Sequence, residues 1–390
     1  MRTHLPFLPF LLLPALVVAA CANSITSPDE EKAKAAADGG DPNNPINPSG
    51  DDTNAPPHAL ATLTLGEQHA AIDGLSAPVI SAVFIPDSKL AKSCTRKIGT
   101  CEATQIPKCM TGTTPGCAGG EACTFDDICQ PKCVKTCTRA CSAGEECFFN
   151  PSASDGSGMD CRKTTRFDAG AIAFAGTTES ISLFPPYTTR PTGNGAPFLP
   201  GTELRVIATG AKEAGFEKFD EKFKATTFIE TNPSLRKLSK SVVFGGGTIP
   251  LGWDPGADVV VISLSGPGGT VTCKVDDKAG KYEVSRSAVE AAMGESTTTT
   301  GTLSLMVARE RKEVRKDKKT VGSLPGQTVP SVGWLELVTT SGETATFASC
   351  GSGTTICGEQ CVNTTSDSKN CGQCGKLCAA GLVCSASVCR

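Results

Sequence analysis

The chain has 390 residues, of which 39% are hydrophobic and only 5% are aromatic, and its formal net charge is −3 at pH 7. This charge gives no electrostatic basis for a nucleic-acid partner. The 21 cysteines instead favour an exported protein in which disulfides replace part of a hydrophobic core.

The first 21 residues read as an export signal. Arg2 precedes an apolar run from Leu5 to Ala20, which is too short to span a bilayer and ends in small residues. The ending Val18-Ala-Ala-Cys21 resembles the lipobox of bacterial lipoproteins. That resemblance implies that Cys21 is lipidated and becomes the mature N-terminus, and Ala22 after it implies the outer membrane. The alternative is a conventional signal peptide with a cysteine near its cleavage site.

Residues 22–58 are rich in Pro, Gly, Asn and charged residues and contain almost no large apolar side chains. This composition predicts a disordered tether. A flexible segment of this length has an r.m.s. span of roughly 30 to 40 Å, enough to lift a domain away from lipid headgroups.

Residues 59–165 are predicted to hold short strands, at Thr62–Leu65 and Pro78–Ile85, and a first cysteine-rich module. Eleven cysteines belong to that module: Cys94, Cys101, Cys109, Cys117, Cys123, Cys129, Cys133, Cys137, Cys141, Cys147 and Cys161. Outside the cytoplasm such a cluster is a disulfide framework. Zinc is the alternative, but the chain has only three histidines, so any site would be all-thiolate. We therefore expect neither a metal nor another cofactor.

A short pattern, C-x-x-G-x-x-C, occurs three times, at residues 117–123, 141–147 and 378–384. Glycine at a fixed offset between cysteines predicts a turn with positive φ at the tip of a small loop closed by disulfides. The two cysteine-rich regions are thus expected to be built from similar small parts.

Residues 166–349 form the stretch long enough to bury a sizeable core. Strand-like runs separated by Gly and Pro predict an antiparallel β-sandwich. The runs are at 171–174, 180–184, 203–208, 224–229, 241–244, 258–264, 270–275, 301–307, 334–338 and 345–348. One helix is expected from Ser285, its N-cap, to Met293. The fold class is therefore mainly β, a sandwich flanked by two small disulfide-rich modules.

Cys273 stands alone in this region, and alternation with Val271 and Val275 places it on the core face of its strand. Eleven cysteines in the first cluster plus this one make an even number. We therefore expect Cys273 to cross-link to the first cluster. The alternative is a buried free thiol, which would leave an odd cysteine in that cluster.

The tail, residues 350–390, contains eight cysteines around an Asn370-Cys-Gly-Gln-Cys-Gly-Lys-Leu-Cys core: Cys350, Cys357, Cys361, Cys371, Cys374, Cys378, Cys384 and Cys389. This core resembles the stigma-specific cysteine-rich proteins of plants and related modules of secreted myxobacterial proteins. The resemblance implies an extracellular, fully disulfide-bonded interaction module without catalytic residues, and the rest of the chain resembles myxobacterial surface lipoproteins. A redox role for Cys371-Gly-Gln-Cys374 is the alternative, but six further cysteines favour structural disulfides.

Catalytic motifs are absent from the sequence: there is no nucleophile elbow, no P-loop and no H-E-x-x-H. Carboxylates at Asp220, Glu221, Asp254 and Asp258 leave open a glycosidase-type pair. The basic run 309–319 holds seven Lys/Arg and three acids, and favours an exposed hairpin over a polyanion site.

Together these features predict a non-enzymatic, lipid-anchored cell-envelope protein that binds a protein, glycan or matrix partner. Its expected contacts are the membrane, through the anchor, and such a partner, but no nucleic acid; its oligomeric state stays open. The alternatives are an extracytoplasmic hydrolase with a carboxylate site in the sandwich and a protease inhibitor built on the first cysteine cluster.

Overall fold

A computed structural model describes most of the chain after residue 58. The described residues are 59–70, 76–85, 94–111, 114–118, 120–125, 129–135, 137, 141–142, 145–149, 159–163, 165–187, 195–294, 301–324, 329–351 and 353–390. The predicted signal, Cys21 and the predicted tether at 22–58 lie outside these residues.

The fold is mainly β, as the sequence predicts. The strands before residue 166 are β1 (Ala61–Ala70), β2 (Ser76–Phe84), β3 (Thr95–Ile98), β4 (Cys101–Gln105), β5 (Met110–Thr111), β6 (Thr114–Pro115), β7 (Glu121–Phe125), β8 (Pro131–Lys135), β9 (Glu145–Phe149) and β10 (Met159–Lys163).

The central region adds strands β11 to β22 and two helices. The strands are β11 (Phe167–Asp168), β12 (Ile172–Ala175), β13 (Ile181–Leu183), β14 (Glu203–Ala208), β15 (Ala214–Phe216), β16 (Phe219–Lys224), β17 (Ile249–Gly252), β18 (Val259–Gly266), β19 (Gly269–Asp276), β20 (Lys281–Val284), β21 (Thr302–Val321) and β22 (Val332–Ala348). The helices are α1 (Lys240–Phe244) and α2 (Arg286–Met293). The tail has β23 (Thr355–Cys357), β24 (Gln360–Val362), β25 (Cys384–Ser385) and β26 (Val388–Cys389).

A ten-stranded sheet organises the molecule. Its main path is β2-β1-β22-β21-β18-β19-β4-β3, and β15 and β11 join beside β21. Strands from both sides of the predicted boundary at residue 165 therefore share one sheet. Most neighbours are antiparallel, but β1 and β22 are parallel.

The long hairpin β21–β22 contributes to two hydrophobic cores on one face of this sheet. Leu335 and Leu337 of β22 belong to a core that the separate sheet β13-β12-β14-β16 covers. Leu303 and Leu305 of β21, with Phe347, belong to a second core covered by α1, α2 and the ribbon β17–β20. The predicted sandwich is thus sheet on sheet at one end and helices with a ribbon on sheet at the other.

The helix α2 forms where the sequence predicts it. Ser285 is its N-cap and accepts a hydrogen bond from the Ala288 amide, and Gly294 ends the helix in a left-handed conformation. Ala288, Val289, Ala292 and Met293 form its buried face. Among the described helices, none is long and apolar enough to cross a membrane.

Two predicted strands are wrong. Residues 241–244 lie in helix α1, because Ser239 caps its first turn and Val243 and Phe244 then face the core. Residues 224–229 leave the strand β16 at Lys224 and continue without a strand ladder. The amides of Thr226 and Ile229 in this segment donate hydrogen bonds to side-chain hydroxyls instead.

Candidate functional site

The twenty cysteines from Cys94 onward are all disulfide-bonded. The pairs are Cys94–Cys129, Cys101–Cys273, Cys109–Cys123, Cys117–Cys133, Cys137–Cys147, Cys141–Cys161, Cys350–Cys361, Cys357–Cys374, Cys371–Cys384 and Cys378–Cys389. Ten disulfides in one chain indicate an exported protein.

Cys273 pairs with the first cluster, as parity predicts. It lies on β19 directly opposite Cys101 on β4, and both side chains are buried in the second core. The bridge joins residues 172 positions apart in sequence. It therefore fixes the first cysteine-rich segment to the edge of the main sheet.

Three copies of one four-cysteine module are present. Each contains a C-x-x-G-x-x-C stretch as its second and third cysteines, and in each the first cysteine bonds the third and the second bonds the fourth. Module 1 spans residues 109–133, module 2 spans 137–161 and module 3 spans 371–389. Cys129 and Cys374 lie within modules 1 and 3 but bond to cysteines outside them, so they are not counted among the four. In every copy the third and fourth cysteines lie opposite each other in a two-stranded hairpin.

The glycine of the repeated pattern behaves as predicted where it is described. Gly120 has φ of 81° and Gly381 has φ of 90°, whereas Gly144 lies outside the described residues. The two cysteines that flank each glycine do not close a loop with each other, however, because they bond to different partners. The turn is held by two interleaved bridges, a tighter constraint than one closed loop.

Each module also brings three sulfurs close together. The first, second and fourth cysteines of every copy have Sγ atoms within 4.8 Å of one another. Zinc binds thiolates, and these sulfurs are all in disulfides. The short distances between these sulfurs therefore follow from two disulfides that lie next to each other in each module.

A buried polar belt separates the two cores. Thr339, Ser341 and Glu343 follow one another at alternate positions of β22, on the face that carries the two cores. Thr339 Oγ1 accepts from the Thr226 amide and Ser341 Oγ accepts from the Ile229 amide, at 2.9 and 3.1 Å. Side chains thus replace a neighbouring strand for this segment.

Glu343 completes the attachment of the segment. Its carboxylate accepts from the amides of Thr231 and Leu235 and from the hydroxyls of Thr231 and Ser234. Four donors around a buried carboxylate offset the cost of removing it from water. The segment from Thr226 to Leu235 therefore passes over the belt as it runs from one core to the other.

Arg309 of β21 lies beside these residues and uses its whole guanidinium group. It binds Asp277 through two hydrogen bonds of 2.7 and 2.9 Å. It also donates to Thr227 Oγ1, to the Phe228 carbonyl and to the Asp254 carbonyl. The side chains of Arg309 and Asp277 are 5% and 0% exposed, so this pair is a buried bidentate ion pair with every donor satisfied.

Glu67 and His69 of β1 reach the same belt. The Glu67 carboxylate accepts from Ser341 Oγ at 2.5 Å and lies 3.3 Å from His69 Nδ1. Burial acts to raise the pKa of Glu67, but the hydrogen bonds from His69 and Ser341 and the charge of His69 lower it below its ordinary value. The hydrogen bond to Glu67 raises the pKa of His69 against the opposing effect of burial.

The chemistry of this arrangement is structural in character. Ser341 is fully buried and its hydroxyl donates to Glu67, so no histidine activates it as a nucleophile. The sequence analysis did not identify this belt. The signal for it is the alternation of polar residues between apolar ones, since Thr339, Ser341 and Glu343 interrupt the core face that Leu337 and Phe347 continue.

Three of the four candidate carboxylates lie in separate ion pairs. Asp220 pairs with Arg205, Glu221 with Arg315 and Lys318, and Asp258 with Arg311. Asp254 contributes its carbonyl oxygen to Arg309. Each of the three paired carboxylates contacts a different set of cations. Glycoside hydrolysis instead uses two carboxyl groups that face each other across the substrate.

The basic run 309–319 is a hairpin strand, but it is not uniformly exposed. Arg309 is buried, Arg311 is paired with Asp258, and Lys312 is paired with Glu336. Lys316 stands 5.6 Å from the centre of the Trp334 ring. Most of the charged side chains in the run 309–319 thus have partners within the protein.

Comparison with protein-family models gives no match to this chain. Comparison with curated proteins gives none either. The lipoprotein and stigma-specific resemblances therefore rest on the sequence motifs alone.

Proposed function

We propose that the protein is anchored through lipidated Cys21 at the cell envelope, on the outer membrane, and acts there as a non-catalytic binding protein. The observation that carries this proposal is the threefold repeat of one cystine module around a sheet with two cores. Among the residues that the structure describes, modules 1 to 3 contribute none to either large core. Small rigid units that do not build the core are available for contact with a partner.

Closely spaced disulfides hold backbone and side chains in a single arrangement before binding. Less conformational entropy is then lost when a partner binds. A protein or glycan is the kind of partner that such a preorganised surface can bind. Catalysis, in contrast, needs convergent reactive groups, and the candidate carboxylates lie in separate ion pairs.

A protease-inhibitor role would require an exposed loop between cysteines of the first cluster. Residues 126–128, 138–140 and 150–158, which separate several of these cysteines, lie outside the described residues.

The anchor is tested by metabolic labelling with radioactive palmitate in a bacterial host that processes lipoproteins. We expect the wild-type chain to be labelled and to sediment with outer membranes. The Cys21→Ala variant should be unlabelled and should remain in the soluble fraction. An unlabelled wild-type chain would overturn the anchor.

The binding role requires that the modules are exposed at the cell surface, and this exposure is tested on intact cells. Protease treatment should release fragments that retain the disulfides of modules 1 to 3 by non-reducing mass mapping. Fragments released only after the cells are lysed would contradict exposure at the surface.

A further inference from the structure

Module 3 differs from its two sister copies in the side chains that it exposes. Four large aliphatic residues project from it: Leu377 is 71% exposed, Leu382 43%, Val383 65% and Val388 50%. The equivalent positions are Gly116, Glu121, Ala122 and Lys132 in module 1, and Ala140, Glu145, Glu146 and Asp160 in module 2. The same bridges form without aliphatic residues there, so the module fold does not require these four side chains.

The four residues are close together. Val383 and Arg390 exchange both backbone hydrogen bonds across the hairpin β25–β26, and Ser385 pairs with Val388. Val383 and Val388 are therefore diagonal neighbours on one face of the hairpin. Leu377 and Val388 each adjoin one half of the Cys378–Cys389 bridge, whose Cα atoms are 5.4 Å apart. Their own Cα atoms are at most about 13 Å apart.

The charge of the modules differs in the same way. Module 1 contains three acids and one base, and module 2 contains four acids and one base. Between its first and fourth cysteines module 3 contains no acidic side chain and one base, Lys376 next to Leu377, and Arg390 follows directly, opposite Val383. An anionic surface is thus attracted to module 3 and repelled by the other two.

We propose that module 3 docks on a lipid bilayer with anionic phosphate headgroups, with its aliphatic side chains inserted at the interface and Lys376 and Arg390 among the headgroups. A protein partner is less well matched, because protein interfaces concentrate aromatic anchors and residues 371–390 contain none. Projecting aliphatic side chains flanked by cations are the features of interfacial membrane binding.

This inference deepens the proposed function and rests on it for its cellular meaning. Lipidation at Cys21 and the predicted tether would hold the start of the folded chain, near residue 59, within roughly 30 to 40 Å of a bilayer and so keep module 3 near that surface. At such an effective concentration, even weak partitioning keeps the module on the membrane. The module would then orient the two acidic modules relative to the surface.

The test uses the full chain carrying Cys21→Ala, so that no acyl chain contributes, and vesicle co-sedimentation as the readout. We expect binding to vesicles of equimolar phosphatidylcholine and phosphatidylglycerol, and much weaker binding to phosphatidylcholine alone. The variant Lys376→Gln/Arg390→Gln should bind the anionic vesicles roughly 30-fold less, given the usual contribution of each cation near such a surface.

A second variant tests the aliphatic part. Replacing Leu377, Leu382, Val383 and Val388 by Ser should reduce sedimentation with anionic vesicles to the level seen with phosphatidylcholine. The matched control is Ile106→Ser/Met110→Ser, which removes two aliphatic side chains that are 52% and 56% exposed elsewhere and should bind like the parent chain. Non-reducing mapping of all variants verifies that module 3 keeps its bridges.

Equal sedimentation of the parent chain with both vesicle types, or full binding by the four-site variant, would overturn the docking proposal. Palmitate labelling of Cys21 is unaffected by either result. Failure of the docking site and failure of the anchor are therefore distinguishable.

Discussion

At the scale of single residues, the buried belt explains why charged side chains lie inside this fold. Arg309 and Asp277 satisfy each other, and the Thr227 hydroxyl and two carbonyl oxygens accept the remaining hydrogen bonds of Arg309. Such pairs contribute little net stability compared with apolar residues of the same size, but removing one partner leaves a buried charge uncompensated. The pair therefore makes the local structure specific.

Replacing Arg309 by Met should lower the free energy of unfolding by about 3 to 5 kcal/mol, because Asp277 then loses its cation in a buried site. Urea denaturation measures this effect. The control Arg205→Met removes the exposed pair with Asp220 and should leave the urea midpoint unchanged. The double variant Arg309→Met/Asp277→Leu should recover part of the loss, and a double variant less stable than Arg309→Met would contradict this account.

The Glu67–His69 pair should make stability depend on pH. The raised pKa of His69 contributes stability that is complete below its ordinary value of 6.5 and is lost as pH rises through the folded-state value. The lowered pKa of Glu67 contributes stability that is complete above 4.5 and is lost as pH falls through its folded-state value. The coupling should therefore be greatest between about pH 4.5 and 6.5.

A double-mutant cycle with His69→Gln and Glu67→Gln, measured by urea denaturation at several pH values, tests this window. The coupling free energy should be largest near pH 5.5 and should fall as the pH rises through the folded-state pKa of His69. Glu343 and Glu230 also act on His69, so their charges remain in all four proteins. A coupling that does not change with pH would show that the charges of Glu67 and His69 do not stabilise the pair.

At the scale of elements, the sequence predicts regular strands well and side-chain scaffolding poorly. The runs at 203–208, 258–264 and 270–275 form β14, β18 and β19 because alternating or continuous apolar residues match the faces that those strands bury. Residues 224–229 have similar residue types, yet they form no strand, because their amides bond to Thr339 and Ser341. The parallel pairing of β1 with β22 joins distant segments and has no local signal.

Ser341 tests whether side chains truly replace a strand here. Ser341→Ala should leave the buried Ile229 amide without an acceptor and cost about 1 to 3 kcal/mol. Native-state hydrogen exchange should be faster at Ile229. Thr346→Ala, at an exposed position of the same strand, is the control and should change neither quantity. Unchanged exchange at Ile229 in Ser341→Ala would show that the hydroxyl is dispensable.

At the scale of the whole molecule, the cysteine framework was predictable in number and in one pairing. Parity gives the link of Cys273 to the first cluster, but not its partner Cys101, since spacing alone permits many connectivities. The repeated pattern C-x-x-G-x-x-C indicates related small parts. The interleaved bridges follow only from the way each hairpin places its third and fourth cysteines opposite each other.

Graded reduction should open the bridges in order of their exposure. Cys374 and Cys147 are exposed and their partners are half-buried, so Cys357–Cys374 and Cys137–Cys147 should react first with a phosphine reductant. Cys101 and Cys273 are 1% and 0% exposed, so their bridge should be the last to open. Alkylation after each step, followed by mass mapping, gives the order. Early loss of Cys101–Cys273 would indicate that the edge of the sheet opens readily.

The hairpin β21–β22 also determines how the central fold responds to heat. Because β22 contributes Leu335 and Leu337 to one hydrophobic core and Phe347 to the other, melting of either core removes packing surface from the other. We expect the central fold to absorb heat in one calorimetric peak, with van't Hoff and calorimetric enthalpies in agreement. Two separate peaks would mean that the halves of the hairpin melt independently.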